Sequence, residues 1–229
     1  CKAEAARAGG FDSIKFKCDL SDPVVDWCSR IRDACGPDFQ VVLDPNGRWE
    51  SVAEAQRLAG GLAEIGNVVC IEDPLPRWNV EEYRLLREKI AVPIALHVAL
   101  PYAEMGQTIQ DVIRAIRVGA CDYFNFNGGI HGVRRMATVA DLAGIRYWHG
   151  SELDLGILEA SYAHKCASFK HGTLPADIFG RLVREHDLLQ EPLEIRNGHV
   201  CVPSGPGLGV RLDREAMARY QVGAEEVAQ

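Results

Sequence analysis

Two kinds of apolar pattern alternate along the chain. Short runs rich in β-branched and aromatic residues predict strands at 12–18, 40–44, 68–72, 94–97, 121–125, 145–149 and, more weakly, 168–171. Between them, apolar positions recurring every three or four residues predict helices at 22–34, 51–65, 80–90, 109–118, 133–143 and 155–166. Residues 1–9 also read as helix interior, so the expectation is a piece of a longer reading frame. Regular β/α alternation implies parallel neighbours joined by helical crossovers, at the spacing of a βα unit, about 30 residues.

A doubly wound sheet and a (β/α) barrel both fit that order. Polar residues decide between them, because they cluster where each strand ends: Lys15 and Lys17, Asp44 and Asn46, Glu72 and Asp73, His97, Asn125 and Asn127, His149 and Glu152, Lys170 and His171. A barrel brings all its strand ends to one mouth, whereas an open sheet gathers them only at a switch point. No phosphate-cradling glycine loop follows the first strand. The expected fold class is therefore α/β, a TIM-type barrel.

After about residue 190 the alternation stops. A hairpin about Asn197 and Gly198 is predicted, then a Gly- and Pro-rich loop, then a short helix capped by Asp213. Gly205, Gly207 and Gly209 have dinucleotide-like spacing but lack the strand before and the helix after that such a loop needs.

Composition narrows the function. With 25 basic and 32 acidic side chains the formal net charge is −7, which disfavours nucleic acid, since phosphate neutralisation needs clustered Lys and Arg. No apolar run is long enough to span a membrane, and no signal-peptide pattern opens the chain, so a cytoplasmic location is expected. The 8 cysteines are scattered and form no CxxC pair; Cys18, Cys70, Cys121 and Cys201 stand in or beside strand-like runs and read as small buried hydrophobes. Trp148 and Tyr147 are expected to pack against helices.

Asp44 and Glu72 each end an apolar strand at equivalent positions on consecutive strands. Together they could hold a hard divalent cation, or each could cap the next helix. Lys15 and Lys17 lie two apart on a strand and share a face. Their mutual repulsion favours a neutral amine able to act as a base, unless both are solvated or ion-paired.

Lys15-Phe16-Lys17 resembles the KxK motif on the second barrel strand of the enolase superfamily, in its mandelate racemase and muconate-lactonising branch. The resemblance continues through Asp44-Pro45-Asn46, Ile71 to Pro74, Pro93 to His97 and the closing GPGLGVRLD, from residue 1 to about 221. It implies a (β/α)7β barrel represented here by strands two to eight over residues 1–190, without the capping domain and first strand. Residues 191–229 would then be a hairpin and helix that pack with that capping domain. It also implies a Mg²⁺ ion on Asp44, Glu72 and His97, with Lys17 as base and Lys15 as electrostatic partner, acting on a small-molecule carboxylate through an enediolate.

Homo-oligomers are common in the branch and are implied here. An imidazole at 97 suits Mn²⁺ or another transition metal better than Mg²⁺, so His97 is either a ligand or a hydrogen-bonding or acid/base group. Asn125 and Asn127 stand on the sixth strand where relatives carry a second base, which disfavours a two-lysine racemase. Glu152 or His149 could protonate a leaving hydroxyl, or Ser151 and Glu152 could simply start a helix. Asn46, Asn125, Asn127, Lys170 and His171 are the expected substrate contacts, the last two otherwise lying on the rim. The resulting expectation is dehydration of a sugar acid to a 2-keto-3-deoxy acid. A cycloisomerase or epimerase using the same step, or an inactive metal-binding barrel, are the alternatives.

Overall fold

The structure is a computed structural model that describes residues 2–98, 108–151 and 153–223. After helix α1 (Lys2–Ala8), six strands alternate with helices: β1 (Ser13–Lys17), α2 (Val24–Cys35), β2 (Gln40–Asp44), α3 (Val52–Ile65), β3 (Val68–Glu72) and α4 (Val80–Arg87). Then come β4 (Ile94–Val98), α5 (Thr108–Val118), β5 (Tyr123–Phe126), α6 (Ile130–Ala143), β6 (Arg146–His149) and α7 (Gly156–Ser168). All six strands are parallel and lie in the order β1-β2-β3-β4-β5-β6. Each strand thus pairs with the next in sequence and the order never reverses, which makes the sheet half of a barrel rather than a doubly wound sheet.

The helices begin and end where local chemistry requires it. At α3 the Ser51 hydroxyl accepts from the Glu54 backbone N–H at 3.3 Å, satisfying an otherwise orphaned donor, and Gly66 takes the left-handed conformation that closes the helix.

Strand alternation divides the interior in two. Outward residues Phe16, Val41, Leu43, Ile71, Ile94, Phe124, Phe126 and Tyr147 pack with Val24, Leu58, Leu86, Val112 and Met136 of the helices to form the main core. Burying each such side chain contributes about 1.5–3 kcal/mol. Inward residues Val42, Cys70, Ala95, Tyr123 and Trp148 form a second cluster with Leu174. Since every inward position shares one parity, Lys15, Lys17, Asp44, Glu72, His97 and Asn125 also face inward, nearer the strand ends.

Two expectations are corrected here. The run 168–171 is not a strand: α7 continues to Ser168, and among the described residues the one ladder-like bond is Tyr147 N–H to His171 O at 3.2 Å. Its single apolar anchor, Phe169, packs edge-on against Tyr147 at 5.2 Å, too little to hold a seventh strand. Trp148 faces the barrel interior and not the helices, because it is Tyr147 that has the outward parity.

The predicted hairpin forms as β7 (Ile195–Arg196) and β8 (His199–Val200). Asn197 and Gly198 have φ of 51° and 74°, the left-handed pair a tight hairpin turn demands. α8 (Arg214–Tyr220) is capped by Asp213, whose carboxylate accepts from the Glu215 and Ala216 amides at 3.0 and 2.9 Å. Cys18, Cys28, Cys35, Cys70 and Cys121 are buried free thiols. Among the described residues no helix is long and apolar enough to cross a membrane.

Candidate active site

The parallel register sets the site. Lys17 on β1 is paired with Asp44 on β2, and Glu72 ends β3 one strand further on, so three strand ends deliver a lysine pair and two acids to one place. The Lys15 ammonium lies 2.5 Å from Glu72 Oε2, 2.7 Å from Asp177 Oδ2 and 3.0 Å from Asp44 Oδ2. Lys17 donates to Asp44 Oδ2 at 2.5 Å. Asp44 and Glu72 are fully buried, Lys15 is 16% exposed and Lys17 56%.

The other oxygen of each acid is also engaged. Asp44 Oδ1 accepts from the Asn46 amide at 3.1 Å, Glu72 Oε1 from Asn125 Nδ2 at 2.9 Å, and Asp177 Oδ1 from the Trp148 indole at 3.0 Å. Asn125 reaches Glu72 because residue 150 is glycine: a Cβ there would lie 2.4 Å from Asn125 Oδ1.

These contacts fix the charges. Burial alone would strip the proton from Lys15, but Asp177, Glu72 and Asp44 outweigh it and hold the ammonium well above its ordinary range. Repulsion from Lys17 therefore does not neutralise Lys15, because three carboxylates oppose it. Burial raises Asp44, yet Lys15 and Lys17 bring it below its usual value. Glu72 is pushed up to about 8 by burial and by Asp44, Asp177 and Asp73 around it, against the pull of Lys15. Four carboxylates crowd a largely dry site beside two lysines and Arg77. Their oxygens are the hard ligands that a divalent cation takes.

His97 and Asp73 lie at the edge of this group. Ligand atoms of Glu72, Asp73 and His97 come within 4.8 Å of one another. Both oxygens of Asp73 are occupied, Oδ2 by Arg77 and Oδ1 by the His97 backbone amide at 2.9 Å. Burial pushes Asp73 up to about 6, with Arg77 opposing, and burial with Arg77 nearby keeps the His97 ring neutral.

A second group lies between β6 and α7. His149 has outward parity and stacks on Tyr162 with ring centroids 4.1 Å apart. Its Nδ1 donates to the Gly150 carbonyl at 2.6 Å, leaving Nε2 buried with only a lone pair. Burial, aided by Lys165, lowers His149 to about 3, so the ring is neutral near pH 7. Lys165 donates to the Gly128 carbonyl at 2.9 Å and sits 4.3 Å from the Tyr162 ring centroid. Burial lowers it to about 8, with Cys166 and Asp154 opposing.

The expected substrate contacts divide. Asn125 and Asn127 are buried at the strand end, Asn127 Oδ1 accepting from the Gly128 amide at 2.6 Å. Asn46 follows Asp44 in a left-handed turn at φ 51° and contributes its backbone N–H. Lys170 and His171 are not brought to the group. Lys170 is exposed, and His171 is tied through its amide and ring to Asp141 on α6, beside the middle of β6. Glu152 lies outside the described residues. Sequence patterns missed Asp177, Trp148 and Lys165; the only signal for Asp177 was an acid after a proline in an unpatterned loop.

Comparison with known proteins agrees with the fold. The family described as Enolase C-terminal domain-like matches residues 1–216. Muconate cycloisomerase 1 of Rhodococcus opacus is 30% identical over 91% of this chain and 55% of its own length. D-galactarolactone cycloisomerase of Agrobacterium fabrum is 26% identical over 94% of the chain and 58% of its own length. Among solved structures, a mandelate racemase/muconate lactonizing family protein from Azoarcus sp. superposes with a TM-score of 0.83 at 27% identity, covering 97% of this chain and 61% of that one. For 2-chloromuconate cycloisomerase from Rhodococcus opacus the TM-score is 0.82 at 28% identity, over 96% and 61% of the two chains. The chain spans about half the length of the curated relatives it matches.

Proposed function

Because the chain belongs to the enolase C-terminal domain-like family, in its mandelate racemase and muconate-lactonising branch, we propose that it carries the catalytic half of an enzyme that abstracts the α-proton of a carboxylate substrate. The observation that carries this reading is the meeting of Lys15 and Lys17 with buried Asp44 and Glu72 at three consecutive strand ends.

A proton beside a carboxylate is very weakly acidic, so its removal needs a base together with concentrated positive charge. Lys17 reaches solvent and has a single carboxylate partner, so it is the amine placed to take the proton and exchange it with water. Lys15, held as an ammonium by three acids, supplies fixed positive charge. Asp44 and Glu72 would be two of the ligands of a divalent metal, Mg²⁺ or Mn²⁺, which when bound would hold the substrate carboxylate and lower the energy of the enediolate. Asn125 keeps Glu72 oriented.

The fate of the enediolate turns on the leaving group. Dehydration requires an acid to protonate a departing hydroxyl. His149 is neutral, its N–H is committed to Gly150 and its ring has outward parity, so of the two acids expected from the sequence only Glu152, outside the described residues, is left for that step, whereas a carboxylate leaves without a proton. We therefore place cycloisomerisation ahead of dehydration.

The test is proton NMR in D₂O with Mg²⁺ or Mn²⁺ and a panel of acid sugars and their lactones. Loss of the α-proton signal, abolished by Lys17→Ala, is the expected result. A product isomeric with its substrate would support cycloisomerisation, and a 2-keto product lacking one water would restore dehydration. Absence of exchange across the panel with either metal would count against the whole reading.

A further inference from the structure

The loop that delivers Asp177 has little regular structure to hold it. Between Ser168, where α7 ends, and Gly180 the chain forms neither helix nor strand, yet Asp177 stands 2.7 Å from Lys15 Nζ and 3.0 Å from the Trp148 indole nitrogen. On its upstream side Leu174 packs into the inward cluster with Trp148. The downstream side is held by charge.

There a single carboxylate oxygen closes the turn. Glu159, on the first turn of α7 and 2% exposed, accepts through Oε1 from Arg184 Nη2 at 2.7 Å and from the Arg181 backbone N–H at 3.2 Å. Arg184 also donates to the Leu153 carbonyl at 3.3 Å. Gly180 leaves no space for a side chain between these segments: a Cβ there would stand 2.4 Å from the Asp154 carbonyl oxygen and 2.7 Å from Glu159 Oε1. Burying such an ion pair is costly, and an apolar pair of similar volume is often as stable or more so. Arg184 Nε is buried without a hydrogen-bond partner, which adds to the cost. An arrangement that stability does not require, tight against the turn that follows Asp177, points to a role in placing that residue.

Resting on the α-proton reading above, we propose that Glu159 and Arg184 are positioning residues for the reaction: their buried ion pair locks residues 180–184 to α7 and thereby holds Asp177 on the Lys15 ammonium. They act through the loop and not on the lysines. Without the pair the loop keeps only its Leu174 anchor and the Trp148 bond, and Lys15 loses one of its three acids and with it a fixed direction.

The test reads Trp148, whose indole N–H reports where Asp177 stands. The chain has 4 tryptophans, so the purified protein gives few indole signals in a nitrogen–proton NMR spectrum, and Trp148→Phe assigns the one required. Glu159→Met/Arg184→Met removes both charges together and leaves no lone charge buried. Its Trp148 signal is expected to move to the position that Asp177→Ala gives, with the other indoles unchanged and Tm not lowered. The kcat for α-proton exchange should fall at least about tenfold with KM within about twofold. Gly180→Ala, which displaces the turn without removing a charge, should move the same signal. A wild-type Trp148 signal in either variant, folded by circular dichroism, would overturn the proposal, and a moved signal with wild-type kcat would overturn the role in the reaction. The wild type gives a reading that needs no variant: the Trp148 indole and the Arg181 amide should exchange with deuterium at similar rates, because one opening exposes both. An indole that exchanges fast beside a protected Arg181 amide would also overturn it. Absence of α-proton exchange in the wild type would overturn the functional reading, and the indole signal would still decide whether the pair places Asp177.

Discussion

Replacing His149 with glutamine should make the protein more tolerant of acid. The ring is fully buried, and its pKa falls from 6.5 to about 3. A base depressed in this way binds its proton in the unfolded chain before it does so in the native one. Stability is therefore complete above the unfolded value and is lost as pH falls from 6.5 toward 3. Between pH 7 and pH 5 the unfolded chain gains about 0.7 proton at this residue while the native protein stays neutral, a loss of about 2 kcal/mol. The figure is insensitive to whether the native value is 3 or 4, because both lie below the range measured. Glutamine cannot be protonated but can still donate to the Gly150 carbonyl. Urea unfolding at pH 7, 6 and 5 would give the loss for each protein, and all other titrating groups cancel in the comparison. The wild type should lose about 2 kcal/mol more than His149→Gln over this interval, equivalent to about 4–8 °C in Tm. Equal acid sensitivity in the two proteins would refute the neutral, buried histidine and with it the case against His149 as a proton donor.

Other changes should separate chemistry from scaffold. Lys17→Ala should cut α-proton exchange by a factor of about 10²–10⁴, with the Tm nearly unchanged because the side chain is half exposed; a large fall in Tm would assign Lys17 a structural role. Gly150→Ala forces a methyl against Asn125 and should cost about 1–3 kcal/mol in denaturant unfolding, while also weakening Mn²⁺ binding through Glu72. Lys165→Met removes a buried ammonium whose charge costs about 3 kcal/mol by its shift and whose hydrogen bond and ring contact return about 2. It should therefore raise stability at pH 7 by about 1 kcal/mol, and a destabilised variant would mean that those contacts dominate.

Most of the strand framework was legible because alternation and strand-end polarity are local properties. Lys15, Lys17, Asp44 and Glu72 could be placed together from four short motifs, since parallel neighbours in register carry their ends to one level. Parity was harder to read. Trp148 and His149 are adjacent, and only the pairing of β6 with β5 establishes that Trp148 looks into the barrel while His149 looks out. The run at 168–171 looked strand-like by composition, but one packed aromatic could not hold it in the sheet. Asp177 was invisible because it sits in a loop, where no periodicity says which way a side chain points. Lys165 was hidden by its helix, whose buried residues are otherwise small apart from Glu159 and Tyr162.

The contacts that gather around Lys15 differ greatly in how far they reach along the chain. Glu72 is 57 residues away and Asp177 is 162. A chain folded only through β3 would already hold the lysines with Asp44 and Glu72, built from neighbouring βα units whose contacts close quickly. The arrival of Asp177 requires every later unit to have docked and the polypeptide to have come back on itself. A stalled or partly folded chain would then carry both lysines beside Asp44 and Glu72 but leave the Lys15 ammonium short of one of its three acids.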